Sequence, residues 1–376
     1  MSNNFLSELQ TASLGEPTRA LMAQVLAFIA QDGCSDADFN TLALAVFAHQ
    51  FEHNAAFQKF CQQRGKTRRT VRSWRDIPAV PINIFKELSL NCEPIRGPEA
   101  GHRVFMTSGT TRAVRGCHHH PTLAVYDASM TRAFEAFFMQ GQARLPMAIL
   151  FPNEQVMPNS SLAHYLALAK TRFGTDESNY FLNEQGLDVA GLSAWLQQAQ
   201  DSGQPVAVLG ASYSLVHAMD SLHAQGLRFA LPSSSRVLDT GGFKGQSREI
   251  AADDFYAQLS ATFGVAASGC INMYGMTELS TQMYDAGNAQ QPAVKFGPHW
   301  LRSRVVDPLT GADMPAGQEG VLVHCDLANV NSVSTILTED VGVLVDGGFH
   351  LLGRAQGTQA KGCSLAVEDF LKAARP

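Results

Sequence analysis

Four segments of this chain carry residue types suited to phosphates, metals and sugar hydroxyls. The first, Thr107-Ser108-Gly109-Thr110-Thr111-Arg112-Ala113-Val114-Arg115-Gly116, follows the apolar run Val104-Phe105-Met106. Small residues let a backbone approach a phosphate chain, and hydroxyls with peptide N–H groups cradle its oxygens. Arg115 would add a charge-assisted bond. The segment is not a Walker A loop, because it lacks GxxxxGK[ST]. The second, Asn272-Met273-Tyr274-Gly275-Met276-Thr277-Glu278, sets an aromatic ring beside glycine, then a hydroxyl and a carboxylate. The ring can stack on a flat ligand and the threonine can bind a phosphate. Glutamate is a hard oxygen ligand suited to Mg²⁺ bridging phosphates. The third, Leu238-Asp239-Thr240-Gly241-Gly242-Phe243-Lys244-Gly245, runs a strand into a glycine turn. The fourth is Thr338-Glu339-Asp340 followed by Gly353-Arg354, a carboxylate for ribose hydroxyls and a guanidinium for ribose or phosphate. Taken singly, the first two read more often as an ordinary loop and a turn entering a helix.

The elements that must position these segments form an alternating pattern. Candidate strands at 103–107, 146–151, 205–209, 236–240 and 321–325 alternate with candidate helices at 122–140, 161–172, 188–200, 212–225 and 248–262. This predicts βαβ units and a mainly parallel sheet flanked by helices. The Gly-rich segments then fall at strand carboxyl ends, where such sheets bind ligands. Residues 1–100 read as a helical region packed on the main domain, with helices at 17–31 and 36–61, the latter capped near Ser35. Residues 341–352 read as a hairpin around Asp346-Gly347-Gly348. The expected organisation is 1–100 helical, 101–350 an α/β core, and 351–376 a short C-terminal segment carrying Cys363. The basic stretch from Arg64 to Arg75 reads as a solvated face, with an anion or acidic-partner patch as the minority alternative.

Composition narrows the function classes. The chain has 376 residues, 45 % hydrophobic and 16 % charged, so it is globular. A chain this long buries roughly 75 % of its unfolded surface without a structural metal or disulfide. A net charge of −6 argues against a general nucleic-acid binder. No apolar run is long enough for a membrane span, and Met1-Ser2-Asn3-Asn4-Phe5 starts no secretory signal. Seven scattered cysteines without a CxxC pair fit a reducing cytoplasm. His118-His119-His120 are adjacent, so their side chains diverge and are not expected to chelate one metal.

The ordered set T-S-G-T-T, Y-G-M-T-E, T-E-D and G-R resembles the adenylate-forming superfamily of acyl-CoA synthetases, peptide-synthetase adenylation domains and firefly-type luciferases. The segments Val80-Pro81-Ile82-Asn83-Ile84-Phe85-Lys86 and Lys361-Gly362-Cys363-Ser364-Leu365-Ala366-Val367-Glu368 look like one branch of it. That branch is the acyl-protein synthetase family, which includes the fatty-acid-activating subunit of the bacterial bioluminescence reductase. The resemblance implies an adenylate-forming large domain, with 101–350 as its nucleotide- and acyl-binding core and 351–376 in place of a full small domain, and a role for each matching residue. Thr107, Ser108, Gly109, Thr110, Thr111 and Arg115 would bind ATP phosphates. Gly241 and Gly242 would lie near the adenine. Tyr274, with Gly275 and Met276, would flank the adenine, Thr277 would contact the α-phosphate, and Glu278 would hold Mg²⁺. Asp340 would bind the ribose and Arg354 the ribose or phosphate. Cys363 would accept the acyl group, and Lys361 is the substitute for the superfamily's C-terminal-domain lysine. One histidine after the loop would line the carboxylate pocket.

Three positions depart from the pattern. Arg112 stands where glycine is usual, Arg115 where lysine is usual, and Glu339 within the usual T-G-D. The implied reaction is ATP-dependent formation of an acyl-AMP from a carboxylic, fatty acid, releasing pyrophosphate. Acyl transfer to a thiol then delivers the group to a partner such as a reductase or a carrier protein. Cys363, between Gly362 and Ser364 and beside Lys361, is expected to have a lowered pKa and a flexible position. Two alternatives remain: an acyl or aryl-acid ligase transferring to CoA or a carrier thiol, and a non-catalytic nucleotide-binding subunit.

Overall fold

The computed structural model describes residues 2–108, 114–241, 247–248 and 250–374. The chain folds into two compact units. The first comprises Met1–Arg132, Met276–Thr281 and Phe296–Pro376; the second comprises Ala133–Gly275 and Gln282–Lys295. Neither expected boundary, at 100 or at 350, coincides with a boundary between the units.

The second unit carries the expected parallel sheet. Its strands lie in the order Met283–Tyr284, Cys270–Tyr274, Arg236–Asp239, Ala207–Gly210, Met147–Leu150 and Asn179–Tyr180. All pairings are parallel except that of Met283–Tyr284. Helices Val189–Ser202, Ser212–Ala224 and Ala252–Phe263 contribute Leu196, Leu215, Met219, Leu259 and Phe263 to one core with Ala148, Leu150, Val208 and Val237. The alternate residues Met147, Ile149, Leu209 and Leu238 are equally buried, so both faces of the sheet are covered. The strand Cys270–Tyr274 was not expected from the sequence pattern, nor was Leu301–Val306 in the first unit. In Leu301–Val306, Arg302 and Ser303 are only half-buried and interrupt the apolar run.

The first unit is built differently. Strands Leu301–Val306, Glu319–Asp326, Thr335–Val345 and Gly348–Arg354 pair antiparallel in sequence order. The expected turn joins the last two, Val345 opposite Gly348, with Gly347 at φ +78°. A shorter hairpin joins Arg103–Met106 to Cys117–His120. The helical pattern expected over 36–61 is two helices, Asp36–His53 and Ala55–Gln63. Ser35 caps the first with a capping box through Asp38. Asn54 serves both ends. Its extended backbone stops the first helix, and its Oδ1 accepts the Phe57 N–H at 3.1 Å to start the second.

Helix Gly357–Ala374 follows the last strand and packs on Ala55–Gln63, with the Phe60 and Phe370 rings 4.6 Å apart. Asn54→Ala should therefore cost about 1 kcal/mol. The checking measurement is a lower urea midpoint at unchanged slope; an unmoved midpoint would mean the cap contributes nothing.

Candidate active site

The strand Thr335–Val345 organises the first unit's polar residues. One edge pairs with Glu319–Asp326 along most of its length. The other edge changes partners. Ile336 and Leu337 pair parallel with Val80 and Pro81, and Asp340 to Val345 pair antiparallel with Arg354 to Gly348. Thr338-Glu339-Asp340 sits at the switch. A register shift in the facing strand lies between Val321 and Val323, and there the Thr338 hydroxyl donates to the Leu322 carbonyl at 2.9 Å. The Asp340 N–H donates back to the same hydroxyl oxygen at 3.0 Å.

Because Val80-Pro81 ends here, the residues after it arrive beside Glu339. Asn83 donates to the Glu339 carboxylate, and Lys86 Nζ donates to Asn83 Oδ1 at 2.6 Å. Arg354, opposite Asp340, lies 3.3 Å from its Oδ1 and 3.6 Å from Glu339 Oε2. Arg354 is exposed, so these ion pairs are weak and the guanidinium can be redirected to a ligand. The V-P-I-N-I-F-K segment marked a family resemblance, but its pattern assigned no role to Asn83 or Lys86.

The loop at 107–116 is a hairpin loop closed at its base. The Thr107 N–H donates to the Gly116 carbonyl at 3.0 Å, and the Gly116 N–H to Thr107 Oγ1 at 2.9 Å. Ser108 and Arg115 are exposed. Gly109, Thr110, Thr111 and Arg112 lie outside the described residues. Glu278 stands against the loop base: a Cβ on Gly116 would come within 3.3 Å of its Oε1. The Glu278 backbone is fixed from below. Its carbonyl accepts from Asn329 Nδ2 at 2.8 Å, and Asp326 accepts from the Ser280 N–H and the Thr281 hydroxyl at 2.9 and 2.7 Å.

The Glu278 carboxyl is only 4 % exposed. Burial pushes its pKa up to about 7, against the pull of its own N–H, Lys86 and Arg354, and Glu339 pushes it further up. The carbonyl of half-buried Thr277 lies 3.0 Å from His118 Nδ1. A carbonyl can only accept, so Nδ1 carries the proton, and burial, which pulls the ring down to about 4, keeps it neutral. Among the described residues no group of three or more His, Cys, Asp or Glu could hold a metal.

Cys363 differs from expectation. It lies inside helix Gly357–Ala374 and is 4 % exposed, not on a flexible segment. Burial first, then the Glu339 charge, push its thiol up to about 11 instead of lowering it. Lys361 is exposed on the same helix; residues two apart do not share a face, so its ammonium does not stand over the sulfur. The thiol does reach the nucleotide-type motif. Its S–H donates to the Thr338 carbonyl at 3.7 Å.

The second unit holds the other half of the sequence motifs. Asp239 ends its strand, fully buried, and desolvation raises its pKa. It accepts from Ser212 Oγ, Tyr256 Oη, Asn272 Nδ2 at 2.7 Å and the Gly241 N–H at 3.1 Å. Gly241 has φ +69°, the left-handed turn conformation that favours glycine. Gly242 lies outside the described residues. Asn272 is held in turn by Lys295, whose ammonium also pairs with fully buried Asp285. Lys295 and Asp285 carried no signal in the sequence. Tyr274 is buried at its strand end and Gly275 is exposed. The motif divides between Gly275 of the second unit and half-buried Met276 of the first.

The fold defines a class: it is that of the adenylate-forming ligases. Two structures of 2-hydroxyisobutyryl-CoA ligase in the postadenylation state match with TM-scores of 0.61. One, with R3-HIB-AMP, is 13 % identical and covers 85 % of this chain and 68 % of its own; the other, with 2-HIB-AMP, is 14 % identical and covers 86 % and 69 %. Within that class the chain belongs to the family described as Acyl-protein synthetase, LuxE, whose model matches residues 22–372. Two curated relatives are each named "Long-chain-fatty-acid--luciferin-component ligase". That of Vibrio harveyi is 21 % identical over 343 residues, and that of Aliivibrio fischeri 19 % over 344; each match covers 88 % of both chains.

Glu278 supplies a test of the site's electrostatics. Its folded pKa, about 7, lies above the ordinary 4.5. Between these values the folded state holds more protons than the unfolded, so stability falls as pH rises through the window. Glu278→Gln should be more stable than wild type at pH 8 by about 3 kcal/mol. The difference should vanish below the ordinary carboxyl range. Thermal melts of both proteins across the window check this; equal melting at pH 8 would show a solvated carboxylate.

Proposed function

We propose that this protein activates a carboxylic acid, a fatty acid by analogy with its relatives' names, with ATP. The acid's oxygen attacks the α-phosphorus, pyrophosphate leaves, and an acyl-AMP results. A carboxylate is otherwise a poor acyl donor because its leaving group is poor. Thr277 and the 107–116 loop, with Arg115, contact the phosphates, and Lys86 adds a cation from the Asn83–Glu339 side. Asp340 binds the ribose hydroxyls once Arg354 turns to the nucleotide, and the Gly241 turn and Tyr274 flank the adenine. Glu278 fits a Mg²⁺ site: it is a buried carboxylate with no ion pair among those described, and Mg²⁺ is commonly held by one or two carboxylates plus substrate phosphates. When bound, the ion would offset charge on the reacting phosphates.

The acyl group then passes to the Cys363 thiol. The sulfur, deprotonated, attacks the carbonyl carbon; the bond to AMP breaks; AMP leaves and the thiol proton goes to solvent. From there a partner enzyme such as a reductase takes the acyl group. The observation that carries this reading is the contact of Cys363 Sγ with Thr338, the first residue of Thr338-Glu339-Asp340. The contact brings this thiol within two residues of Asp340, the carboxylate proposed for the ribose. Burial of the same thiol favours a second reading, in which CoA or a carrier-protein thiol is the acceptor.

A Cys363→Ala variant separates the two. Acid-dependent ATP–pyrophosphate exchange should persist, and covalent labelling of the protein by radioactive fatty acid should disappear. Persistent labelling of the variant, or thioester found only on added CoA or carrier protein, would refute Cys363 as acceptor. Failure of exchange with every acid from acetate to long-chain and aryl acids would refute adenylation itself.

A further inference from the structure

The first unit contains a groove of about 710 Å³ that none of the motifs accounts for. That volume lies within the about 300–1,000 Å³ usual for small-molecule sites. It runs between helix Gly357–Ala374, the sheet, the turn around Pro308 and the basic stretch noted in the sequence. Two observations bear on its occupant.

The first is its apolar wall. Val306, Val323, Leu337, Ala79 and Ala366 line the groove, and the same five residues share one apolar cluster with Cys363. At one end Gly362 meets the turn so closely that a Cβ there would lie 2.9 Å from Pro308. The groove thus runs beside the layer in which the thiol is buried. Its two lips carry Leu309 and Leu365, 60 % and 51 % exposed. Large apolar side chains left this open on facing lips are suited to an apolar ligand.

The second is the charge at the rim. Arg64, Lys66, Arg75 and Arg304 make it look like an anion site. Each cation is already engaged: Arg64 with Asp369 at 3.7 Å, Lys66 with Asp76 at 3.3 Å, and Arg75 and Arg304 with Asp313 at 3.1 and 2.6 Å. The carboxylates of Asp369, Asp76 and Asp313 offset most of that positive charge, so the rim is not a concentrated anion site. The apolar surface left open is that of Leu309 and Leu365.

We infer that this groove holds the hydrocarbon tail of the acyl group while its carbonyl is bonded to the Cys363 sulfur. The inference rests on the reading of Cys363 as acyl acceptor and adds where the tail lies and what shields it. An acyl chain left in water exposes apolar surface along its whole length, and the groove offers it the open side chains of Leu309 and Leu365 beside the apolar cluster that holds the thiol. The paired charges at the rim keep the mouth soluble without claiming the carboxylate of a free acid. The shielding acts on the stored intermediate, after AMP has left.

The test loads the full-length protein, with ATP and Mg²⁺, with tetradecanoic acid bearing a diazirine at its methyl end. After irradiation, peptide mapping locates both the thioester and the photo-adduct. Adducts within residues 304–311, 321–323 or 362–369, and their loss in a Leu309→Asp/Leu365→Asp variant that keeps pyrophosphate exchange, are expected. Both substitutions are at exposed positions, so folding is retained. Adducts elsewhere while the thioester forms on Cys363 overturn the groove and leave the acceptor standing. A protein without thioester on Cys363 overturns the acceptor and the groove together.

Discussion

The change of partners along one edge of strand Thr335–Val345 is the constraint from which the first unit's site follows. A strand edge offers a fixed row of N–H and C=O groups, and each partner's register is set once its first pair forms. By giving its first residues to Val80-Pro81 and its last to Gly348–Arg354, this strand draws two distant segments to one point. Asn83, Lys86, Glu339, Asp340 and Arg354 converge there because backbone pairing leaves them nowhere else to go. The exposed ion pairs among them are too weak to assemble the cluster themselves; they decorate a geometry the ladder has already imposed.

Glu278 adds a different kind of energy. Its backbone is fixed by Asn329 and by the Asp326 contacts to Ser280 and Thr281, and the residue is only 4 % exposed. A carboxylate kept dry without a direct cationic partner costs stability at neutral pH. Such a cost is sustained where function needs the charge uncompensated until a ligand arrives. In the second unit the opposite solution holds. Asp239 and Asp285 are satisfied by Asn272, Lys295 and backbone donors, a closed network that fixes the strand ends rigidly.

Much of this was legible in the sequence where the signal is local. Ser35 as a cap, the Asp346-Gly347 turn and the strands and helices of the second unit's parallel sheet each follow from a few neighbouring residues. So does the family, through motifs in fixed order. What escaped depends on long-range pairing. Asn83 and Glu339 are 256 positions apart, and nothing near either names the other. Lys295 carries no local signal, and its partners Asn272 and Asp285 lie 23 and 10 positions away. Cys363 was singled out as the acceptor thiol by resemblance, and its pKa was read from its sequence neighbours Gly362 and Lys361. Helical geometry turns Lys361 away, and the sheet beneath sets the dielectric.

The partner switch also says where the chain can tolerate change over evolutionary time. Side chains along a strand alternate in direction, so one residue gained or lost reverses every face beyond it. In the connection between Val306 and Glu319, or at the tip between Val345 and Gly348, an added residue would lengthen a loop and leave the ladders intact. Between Thr338 and Asp340 it would break one register or the other, with no slack on either side to absorb it. These three positions can therefore change identity, as Glu339 in the place of glycine shows, but their number is fixed by the strands on both sides.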